Sequence, residues 1–514
     1  RYRFNFGPDF RYYRNGTFRN EESISSEGKN RASLSNQSDF SWTLDNLIYY
    51  DKEFGKHSVG LTLLQSATGY HYEESSMAAE GIPLESAKWN ALSKENVSLL
   101  DEWNSGLIEK QLLSYMFRVN YDYNNKYLLT VSGRWDGASQ LAEGNKWAFF
   151  PSAALGWRLD QEEFLKDVTW LNQLKFRLGV GVTGNSAIDP YQTKGAIVSL
   201  YYPFGSALAP GYAASEPLIK DGAVAMANKN LSWEKTTQYN IGLDYSVLNG
   251  RISGVLDFYT SRTTDLLMAM TIPSLNGYTN TYANVGKTSN IGVDITLNTV
   301  NVKTRDFEWS TSINAAWQKD KIDELANGKE DDINNNWFIG QALGVIYGYE
   351  CGGLWKEEDA AEMAKFNAKG HSFQAGMVRP IDQNGDYKID PNDDRVIIGH
   401  TRPRWTFGMT NTFTYKNFDL SVMMYGRFDY MVDTGGEWQG GRYMQRKINY
   451  YNENNKNAEY QKPIYNIGGG DPYYRIVGYK NGSFLKVRNI SLGYTFPQTL
   501  IKKWNLSNLK VYVQ

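Results

Sequence analysis

The segment LSYMFRVNYDYNNKYLLTVSGRWDG, residues 113–137, decides the fold of this chain. Across 113–123 every odd position is apolar or aromatic, and most of the positions between are polar. Asn124 and Asn125 form a two-residue turn signal, after which the alternation resumes over 127–135. Because an apolar residue at every second position is typical of a β-strand, the segment predicts a β-hairpin.

The same alternation recurs along the chain, so this hairpin is one repeat of a longer pattern. Clear examples occupy residues 40–50, 239–247, 291–297 and 405–415. A scan of the whole sequence gives roughly fifteen such runs, most of them near the ~9 to 11 residues that a tilted strand needs to cross a bilayer. The pattern therefore predicts an all-β protein whose strands are long enough to span a membrane.

The connections between these runs are alternately short and long. The short ones fall at 51–56, 124–125, 248–250, 300–306 and 416–417. The long ones cover 74–110, 184–232, 262–284, 320–402 and 430–481. Short turns on one side and long loops on the other are typical of a bacterial outer-membrane barrel, whereas a soluble sandwich has no reason to place its long loops at one end. We therefore expect a transmembrane antiparallel β-barrel.

The composition agrees with this fold and excludes several others. Aromatic residues make up 14% of the 514 residues, and 36 Tyr and 47 Gly favour pleated strands and tight turns. The mean hydropathy is -0.53, and no apolar run approaches the roughly 18 residues that a spanning helix needs. The net charge of -2 gives no reason to expect nucleic acid as a partner. A single cysteine, Cys351, excludes an intrachain disulfide.

Both ends of the sequence fall inside alternating runs, at residues 2–6 and 511–514. Because a single-chain bacterial barrel normally has an even number of strands, we expect residues 1–514 to be a partial barrel domain that lacks the first and last strands. Aromatic residues at strand ends, such as Tyr121, Tyr123 and Tyr127, predict an interfacial girdle, the alternative being ordinary strand aromatics.

Several segments carry a resemblance to a known family. They are YDY at 121–123, KYLLTVS at 126–132, RWDGAS at 134–139, FPS at 150–152, GWR at 156–158, LKFR at 174–177 with GN at 184–185, LSWEKTTQ at 231–238 and NVGKTSN at 284–290. Together they resemble the SusC/RagA group of TonB-dependent outer-membrane transporters of the Bacteroidota. The resemblance covers about residues 110–514, and the first hundred residues match only in pattern.

The resemblance implies a 22-stranded barrel in the outer membrane of a Gram-negative bacterium, with an amino-terminal plug in its lumen and a TonB box before the plug. It implies active import of an oligomeric nutrient, which is either a glycan or a peptide. A SusD-like lipoprotein would form a lid over the external mouth of the barrel. The TonB-ExbB-ExbD complex would supply the energy through the amino-terminal region. Plug, TonB box and signal peptide are not in this sequence. We therefore expect the chain to form the middle and later part of the barrel wall, that is, of the closed sheet of membrane-spanning strands.

Two other function classes stay open at this point. One is a passive outer-membrane pore or structural surface barrel, which the absence of a plug and TonB box from the full-length sequence would favour. The other is a secreted carbohydrate-active β-protein, which membrane fractionation would exclude. No GxSxG, HExxH, Walker or dinucleotide motif is present, so we expect no enzyme activity.

One motif predicts a site for a hard cation. The stretch DQNGDYKIDPND, residues 382–393, has oxygen side chains at the spacing by which a short loop wraps Ca²⁺. The ligand candidates are Asp382, Asn384, Asp386, Asp390 and Asp393, with Lys388 contributing its backbone carbonyl. Tyr387 stands where the pattern has Gly. The alternative is a solvated Asp-Asn-Gly turn, which is common in loops.

Two further residue types in the long connections are ambiguous. Aromatic residues such as Tyr201, Trp337, Trp438, Tyr443 and Tyr473 are suited to stack on sugars or bury peptide side chains, or else to hold the loops together. The four histidines, His57, His71, His371 and His400, lack metal-ligand spacing, so we expect no histidine metal site. No substrate-contacting residue is predicted.

Overall fold

The computed structural model describes residues 1–83, 85–93, 99–193, 198–204, 207–213, 217–218, 223–273, 280–434, 448–463 and 470–514. Its strands are β1 (Tyr2–Arg19), β2 (Arg31–Phe54), β3 (His57–Glu80), β4 (Leu99–Tyr123), β5 (Tyr127–Ala138), β6 (Trp147–Arg158), β7 (Leu171–Asn185), β8 (Val198–Phe204), β9 (Ala207–Ala213), β10 (Pro217–Leu218), β11 (Ala223–Met226), β12 (Glu234–Val247), β13 (Ile252–Thr264), β14 (Leu267–Thr271), β15 (Asn280–Asn284), β16 (Lys287–Lys303), β17 (Phe307–Glu324), β18 (Val345–Tyr349), β19 (Cys351–Leu354), β20 (Val378–Pro380), β21 (Arg395–His400), β22 (Trp405–Tyr415), β23 (Phe418–Phe428), β24 (Met431–Asp433), β25 (Tyr479–Asn481), β26 (Phe484–Thr495) and β27 (Lys510–Val513). The α-helices are α1 (Ala360–Ala368) and α2 (Gln498–Ile501).

One sheet contains most of the strand residues. Among the residues that the structure describes, it has fifteen strands in the order β1-β2-β3-β4-β5-β6-β7-β12-β13-β16-β17-β22-β23-β26-β27. Strands that are adjacent in this sheet follow one another along the chain, and the registers from β1 to β6 and from β17 to β27 are antiparallel. The predicted all-β fold of about fifteen strands is confirmed.

The contacts of the chain divide it into two compact units, and each is described by itself. The first unit consists of Arg1–Arg158, Arg177–Tyr239 and Arg262–Lys287. The second unit consists of Leu159–Phe176, Asn240–Ser261 and Thr288–Gln514. Among the described residues, no helix is both long and apolar enough to cross a membrane.

In the first unit, one face of the sheet exposes a continuous row of large apolar side chains. Tyr115 on β4 lies opposite Trp135 on β5, which lies opposite Phe149 on β6. These three side chains are 50%, 55% and 42% exposed. Exposed side chains of this size, repeated across neighbouring strands, form a large apolar surface that water would not solvate well. Such a face is suited to contact with lipid.

The opposite face of the same strands is polar and hydrogen-bonded. The hydroxyls of Ser132 and Ser152 lie 2.6 Å apart. Arg134 donates from Nε to Asp136 Oδ1 at 2.7 Å and from Nη2 to Ser114 Oγ at 2.9 Å. A sheet that is apolar where it faces outward and polar on its other face is the arrangement of a membrane barrel, whose lumen is polar.

Three neighbouring strands of the first unit are longer than the sequence pattern predicts. β2, β3 and β4 contain 24, 24 and 25 residues, more than twice the ~9 to 11 that cross a bilayer. The prediction that residues 74–110 form a connection is therefore wrong for most of that range, because β3 and β4 stay paired to Glu80 and Leu99. Residues 73–76 read Glu-Glu-Ser-Ser and are polar on both faces, so the apolar alternation stops while the backbone pairing continues.

The short turns lie where the sequence predicts them. Asn124 and Asn125 have φ of 58° and 54°, the left-handed values that a two-residue hairpin turn needs. The predicted strict alternation of short and long connections is wrong at one pair. The alternation would make the connection 139–146 long and the next one, 159–170, short. Instead 159–170 is the longer of the two, because it contains two 3-10 turns, Leu159–Gln161 and Glu163–Leu165.

Aromatic rings gather beside these short turns. Tyr123 stacks on Tyr127 at 6.4 Å between ring centroids, and His57 lies 4.9 Å from Tyr123. In the second unit, Phe418 lies 4.7 Å from Tyr494. Rings clustered at the ends of the strands are what an interfacial girdle requires.

In the second unit three neighbouring strands of the sheet are short and have the same two-faced design. β22, β23 and β26 contain 11, 11 and 12 residues. Leu420 lies opposite both Phe413 and Leu492, the latter 51% exposed. A polar residue on this face, Asn411, accepts hydrogen bonds from Trp309 Nε1 at 3.0 Å and Thr311 Oγ1 at 2.7 Å. Its side-chain oxygen is therefore satisfied within the sheet.

Candidate functional site: the loop ends of the wall

The longest connection of the second unit, 325–404, is a folded structure with its own hydrophobic core. Its buried members are Trp355, Met363, Phe366, Phe373, Met377 and Ile389. Trp355 is fully buried, and the rings of Phe366 and Phe373 lie 5.6 Å and 5.4 Å from it. The spacing of Met363 and Phe366 on α1 places both on one face of that helix. A core of this kind fixes the shape of a long loop.

The next long connection, 429–483, contributes to a second core with the first. Val378 from 325–404 is buried together with Tyr460, Ile476 and Val477. Asp471 is 5% exposed, and its two carboxylate oxygens accept the backbone N–H of Val378 at 2.6 Å and of Tyr473 at 2.9 Å. Burial raises the pKa of the Asp471 carboxyl. We call residues 325–404, 448–463 and 470–483 the loop subdomain.

The predicted cation loop lies in this subdomain and consists of successive side-chain-to-backbone turns. Asp382 accepts the N–H of Gly385 at 2.7 Å and of Tyr387 at 2.8 Å. Asn384 accepts from the backbone of Asp386, and Asp386 from the backbone of Lys388, at 3.0 Å and 2.8 Å. Three of the five predicted ligand side chains thus fold the loop back on itself.

The second half of the loop has a different arrangement. Lys388 donates from Nζ to Asp390 Oδ2 at 2.9 Å, and this ammonium lowers the pKa of the Asp390 carboxyl. Asp393 donates its own N–H to Asp390 Oδ1 at 3.2 Å. Within the described ranges, no three His, Cys, Asp or Glu side chains are grouped so that they could hold a metal ion. The calcium site therefore stays a prediction.

Sequence reasoning missed the residue that anchors this loop. Asp394 is fully buried, and its carboxylate accepts the N–H of Gln383 and of Asp390, both at 2.8 Å. It lies one residue beyond the last position of the motif, so the motif pattern does not include it. A carboxylate that closes both ends of the loop ties residues 383 and 390 together.

Tyr387 and His371 join the cation loop to the hydrophobic core. Tyr387 has φ of 63°, the left-handed conformation for which the motif has Gly, and its ring lies 5.5 Å from Phe366. His371 Nε2 accepts the N–H of Ile389 at 2.9 Å while its ring stacks on Phe373 at 5.0 Å. Burial, with a smaller contribution from Lys388, lowers the pKa of His371.

Two pairs of aromatic residues pack together in the long connections. Phe338 lies 4.7 Å from Tyr347, and Tyr473 lies 5.3 Å from Tyr349. Trp438 and Tyr443 lie outside the described residues, as does the side chain of Tyr201.

The other three histidines have polar partners. His57 Nδ1 lies 2.7 Å from Tyr121 Oη, and His400 Nδ1 lies 2.8 Å from the carbonyl of Arg402. His71 lies between Glu73 and Glu109, at 3.1 Å and 2.9 Å. These contacts explain the histidines as members of local hydrogen-bond networks.

The first unit has a cleft of about 760 Å³ at its loop end. It is lined by Glu109, Lys110, Gln111, Ser139, Gln140, Leu141, Ala142, Glu143, Lys146, Pro190, Tyr191, Thr193 and Lys229. Leu141 is buried in a cluster with Ala138, Phe150, Ile188, Leu231 and Trp233. Sequence reasoning missed this cleft because four separate segments build it.

The comparisons with known proteins assign the chain to a family. The family model described as TonB dependent receptor-like, beta-barrel matches residues 1–513, so the chain belongs to that family. The family is one of transporters of the outer membrane. The match includes the first hundred residues, where the sequence segments gave a resemblance in pattern only.

Individual relatives show which members of this family the chain resembles. TonB-dependent receptor SusC of Bacteroides thetaiotaomicron is 32% identical over 440 residues, which are 79% of this chain and 40% of that protein. TonB-dependent receptor P26 of Formosa agariphila is 30% identical over 543 residues, 99% of this chain and 52% of that protein. The structure of the RagAB peptide transporter aligns with a TM-score of 0.78 at 23% identity, covering 99% of this chain and 55% of that one. The SusC/RagA resemblance is confirmed, and the chain spans about half the length of the curated relatives it matches.

Proposed function

We propose that the protein containing this chain imports an oligomeric nutrient, a glycan or a peptide, across the outer membrane in a TonB-dependent manner. The observation that carries the proposal is the two-faced wall of a TonB-dependent receptor family member, apolar outward and hydrogen-bonded on its other face. No bond is made or broken in such a process. The barrel would serve as conduit, and selectivity would lie in the loops and in parts of the full-length protein outside this chain.

The proposal includes two kinds of partner. A SusD-like lipoprotein would close the external mouth, and the folded loops at the ends of the strands are a suitable contact surface because their own cores hold them in shape. The TonB-ExbB-ExbD complex would couple energy through the amino-terminal region of the full-length protein. The likeness to SusC supports both partners.

Uptake measurements in the host test the proposed function. Cells that contain the full-length protein are supplied with complex glycans or with peptide mixtures, and disappearance of oligomers from the medium is followed. We expect uptake of one class to be lost when either the transporter gene or tonB is deleted, and restored by complementation. Uptake that persists without TonB would instead indicate the passive pore.

We also propose that residues 382–393 bind Ca²⁺ and that the ion pins this loop. The motif spacing supports the proposal, and so does the left-handed conformation of Tyr387 at the position where calcium loops have Gly. Limited proteolysis of the full-length protein, with calcium titration and metal analysis, tests it. Calcium is expected to protect the loop, and the Asp382→Asn/Asp386→Asn double variant to lose that protection.

A substitution elsewhere in the same connection serves as the control for this experiment. Glu330 is exposed and lies outside the motif, so Glu330→Gln should respond to calcium like the unaltered protein. Equal cleavage of the loop with calcium and with chelator, together with no bound metal, would show that the solvated turn is the correct interpretation.

A further inference from the structure

The cleft of the first unit has more positive than negative side chains in its lining. Its lining includes Lys110, Lys146 and Lys229 against Glu109 and Glu143, and all five side chains are exposed. Glu109 already accepts from His71 Nδ1 at 2.9 Å. The side chains of Lys146, Lys229 and Glu143 make no hydrogen bond or ion pair with any residue that the structure describes.

Two of these lysines, Lys146 and Lys229, lie on neighbouring segments of the chain. Asn145, which precedes Lys146, donates from Nδ2 to the carbonyl of Asn230, which follows Lys229, at 3.0 Å. The carbonyl of Lys146 accepts from Trp233 Nε1 at 2.8 Å, and Trp233 is 5% exposed. The two lysines are therefore carried on segments that are bonded to each other and anchored in the core.

The floor of the cleft is rigid as well. Ala142 donates its N–H to the carbonyl of Leu231 at 3.1 Å, and Leu231 is fully buried. Gln140 donates from Nε2 to the carbonyl of Ser186 at 3.0 Å. A cleft whose walls are fixed before binding loses little conformational entropy when a ligand enters.

The lining suits an anion better than an uncharged sugar. A carboxylate that binds between these two adjacent segments would be attracted by both ammonium groups. A neutral sugar would be bound through an aromatic face, but among the lining residues the aromatic one is Tyr191, whose hydroxyl accepts the N–H of Glu109 at 3.1 Å. The volume of about 760 Å³ is enough for several units of an oligomer.

We propose that this cleft is a subsite for a carboxylate group of the imported oligomer, held by Lys146 and Lys229. The identity of the ligand as an imported oligomer rests on the proposed function. The carboxylate comes from either a uronic acid of a glycan or an acidic residue of a peptide. Glu143 on the same lining repels a second carboxylate and so limits the density of negative charge that the cleft accepts.

Isothermal titration calorimetry on the purified full-length protein tests the proposal. The probes are tri-galacturonate and tetra-glutamate, each with an uncharged counterpart, maltotriose and tetra-glutamine. At low salt we expect at least one acidic probe to bind more tightly than its counterpart, and its affinity to fall as salt is raised. The probe that binds identifies the source of the carboxylate.

Three variants assign the binding to the cleft. The Lys146→Gln/Lys229→Gln double variant should weaken the acidic probe about fivefold, and Glu143→Gln should tighten it about twofold, since exposed charge pairs contribute modestly. Lys369→Gln, an exposed lysine that follows α1 in the loop subdomain, is the matched control and should leave the affinity unchanged. Equal affinity for acidic and neutral probes, or undiminished affinity in the double variant, would overturn the subsite.

The failure of the subsite is distinguishable from the failure of the proposed function. If uptake depends on TonB but the double variant binds the acidic probe with unaltered affinity, the proposed subsite is wrong and the proposed import function stands. If uptake does not need TonB, the proposed function is wrong, whatever affinities calorimetry measures.

Discussion

The two units of this chain build structure beyond the membrane in different ways. In the first unit three neighbouring strands are long, since β2, β3 and β4 continue for 24, 24 and 25 residues. In the second unit β22 and β23 end after 11 residues, and the chain then folds into the loop subdomain with α1 and two buried clusters. The first unit extends part of its sheet, whereas the second folds a long connection around buried clusters.

The difference shows which interaction holds each region together. A sheet extension is stabilised by backbone hydrogen bonds to its neighbours, which do not depend on which side chains are present. A folded loop depends on buried side chains, such as Trp355 and Phe366, and on buried carboxylates such as Asp471 and Asp394. The two regions should therefore respond differently to the same kind of substitution.

The largest effect is expected for Trp355→Ala. Removing a fully buried Trp side chain costs about 3–5 kcal/mol, and the loss should be confined to the loop subdomain because the wall has its own hydrogen bonds. Limited proteolysis of the full-length protein should show new cleavage within 325–404, while heat-modifiable migration of the barrel on gels is unchanged. Ile333→Ala, at a 53% exposed position of the same connection, is the control. Cleavage that is equal in both variants would contradict a separate core.

A matched pair on β4 tests how far the first unit's strands extend past the lipid. Phe117 and Leu107 point to the same face of that strand, at 41% and 52% exposure. Phe117→Lys should cost about 2–4 kcal/mol in the folding of the full-length barrel into lipid, because a lysine on the lipid face near the midplane is unfavourable. Leu107→Lys should cost less than about 1 kcal/mol. Similar costs at both positions, measured by denaturant titration in liposomes, would mean that both lie in lipid.

A smaller effect is expected from the titration of His371. The neutral ring accepts the N–H of Ile389, and burial holds its pKa below the ordinary value of 6.5. Because the folded-state pKa is depressed, this stabilisation is complete above about pH 6.5 and is lost as the pH falls through the lower value. Cleavage of residues 370–395 should therefore increase between pH 7.5 and pH 5.5, with protease activity normalised on an unfolded substrate.

A variant without a titratable ring is the control for this pH dependence. His371→Gln keeps an acceptor for the Ile389 N–H and cannot be protonated in this range, so its cleavage should vary little with pH. An unaltered pH dependence in His371→Gln would assign the effect to another group of the loop subdomain.

The wall was predictable from the sequence because its information is local. Alternation over 113–123 identifies which side chains face lipid, and Asn124 and Asn125 identify the turn, since few residues adopt positive φ at low cost. The upper part of β3 was not predictable in this way. Its pairing through 73–76 depends on a neighbouring strand and leaves no apolar pattern in the sequence.

The loop ends were less predictable because their contacts join distant residues. Asp471 accepts from Val378, which lies 93 residues earlier in the chain. The cation motif was visible as a spacing, but Asp394, which closes the loop, lies outside the pattern. The cleft lysines Lys146 and Lys229 are brought together by a hydrogen bond between residues that are 85 positions apart.

By itself, therefore, the sequence determined a two-faced wall, its short turns and its resemblance to the SusC/RagA group. These follow from the two-residue period of a strand and from turn residues that are close together in the chain. Only the tertiary structure decided how tall each strand is, which loops fold around a core of their own, and which charges share a cleft. Those features depend on packing and hydrogen bonds between segments far apart in sequence, where no local period connects one residue to the next.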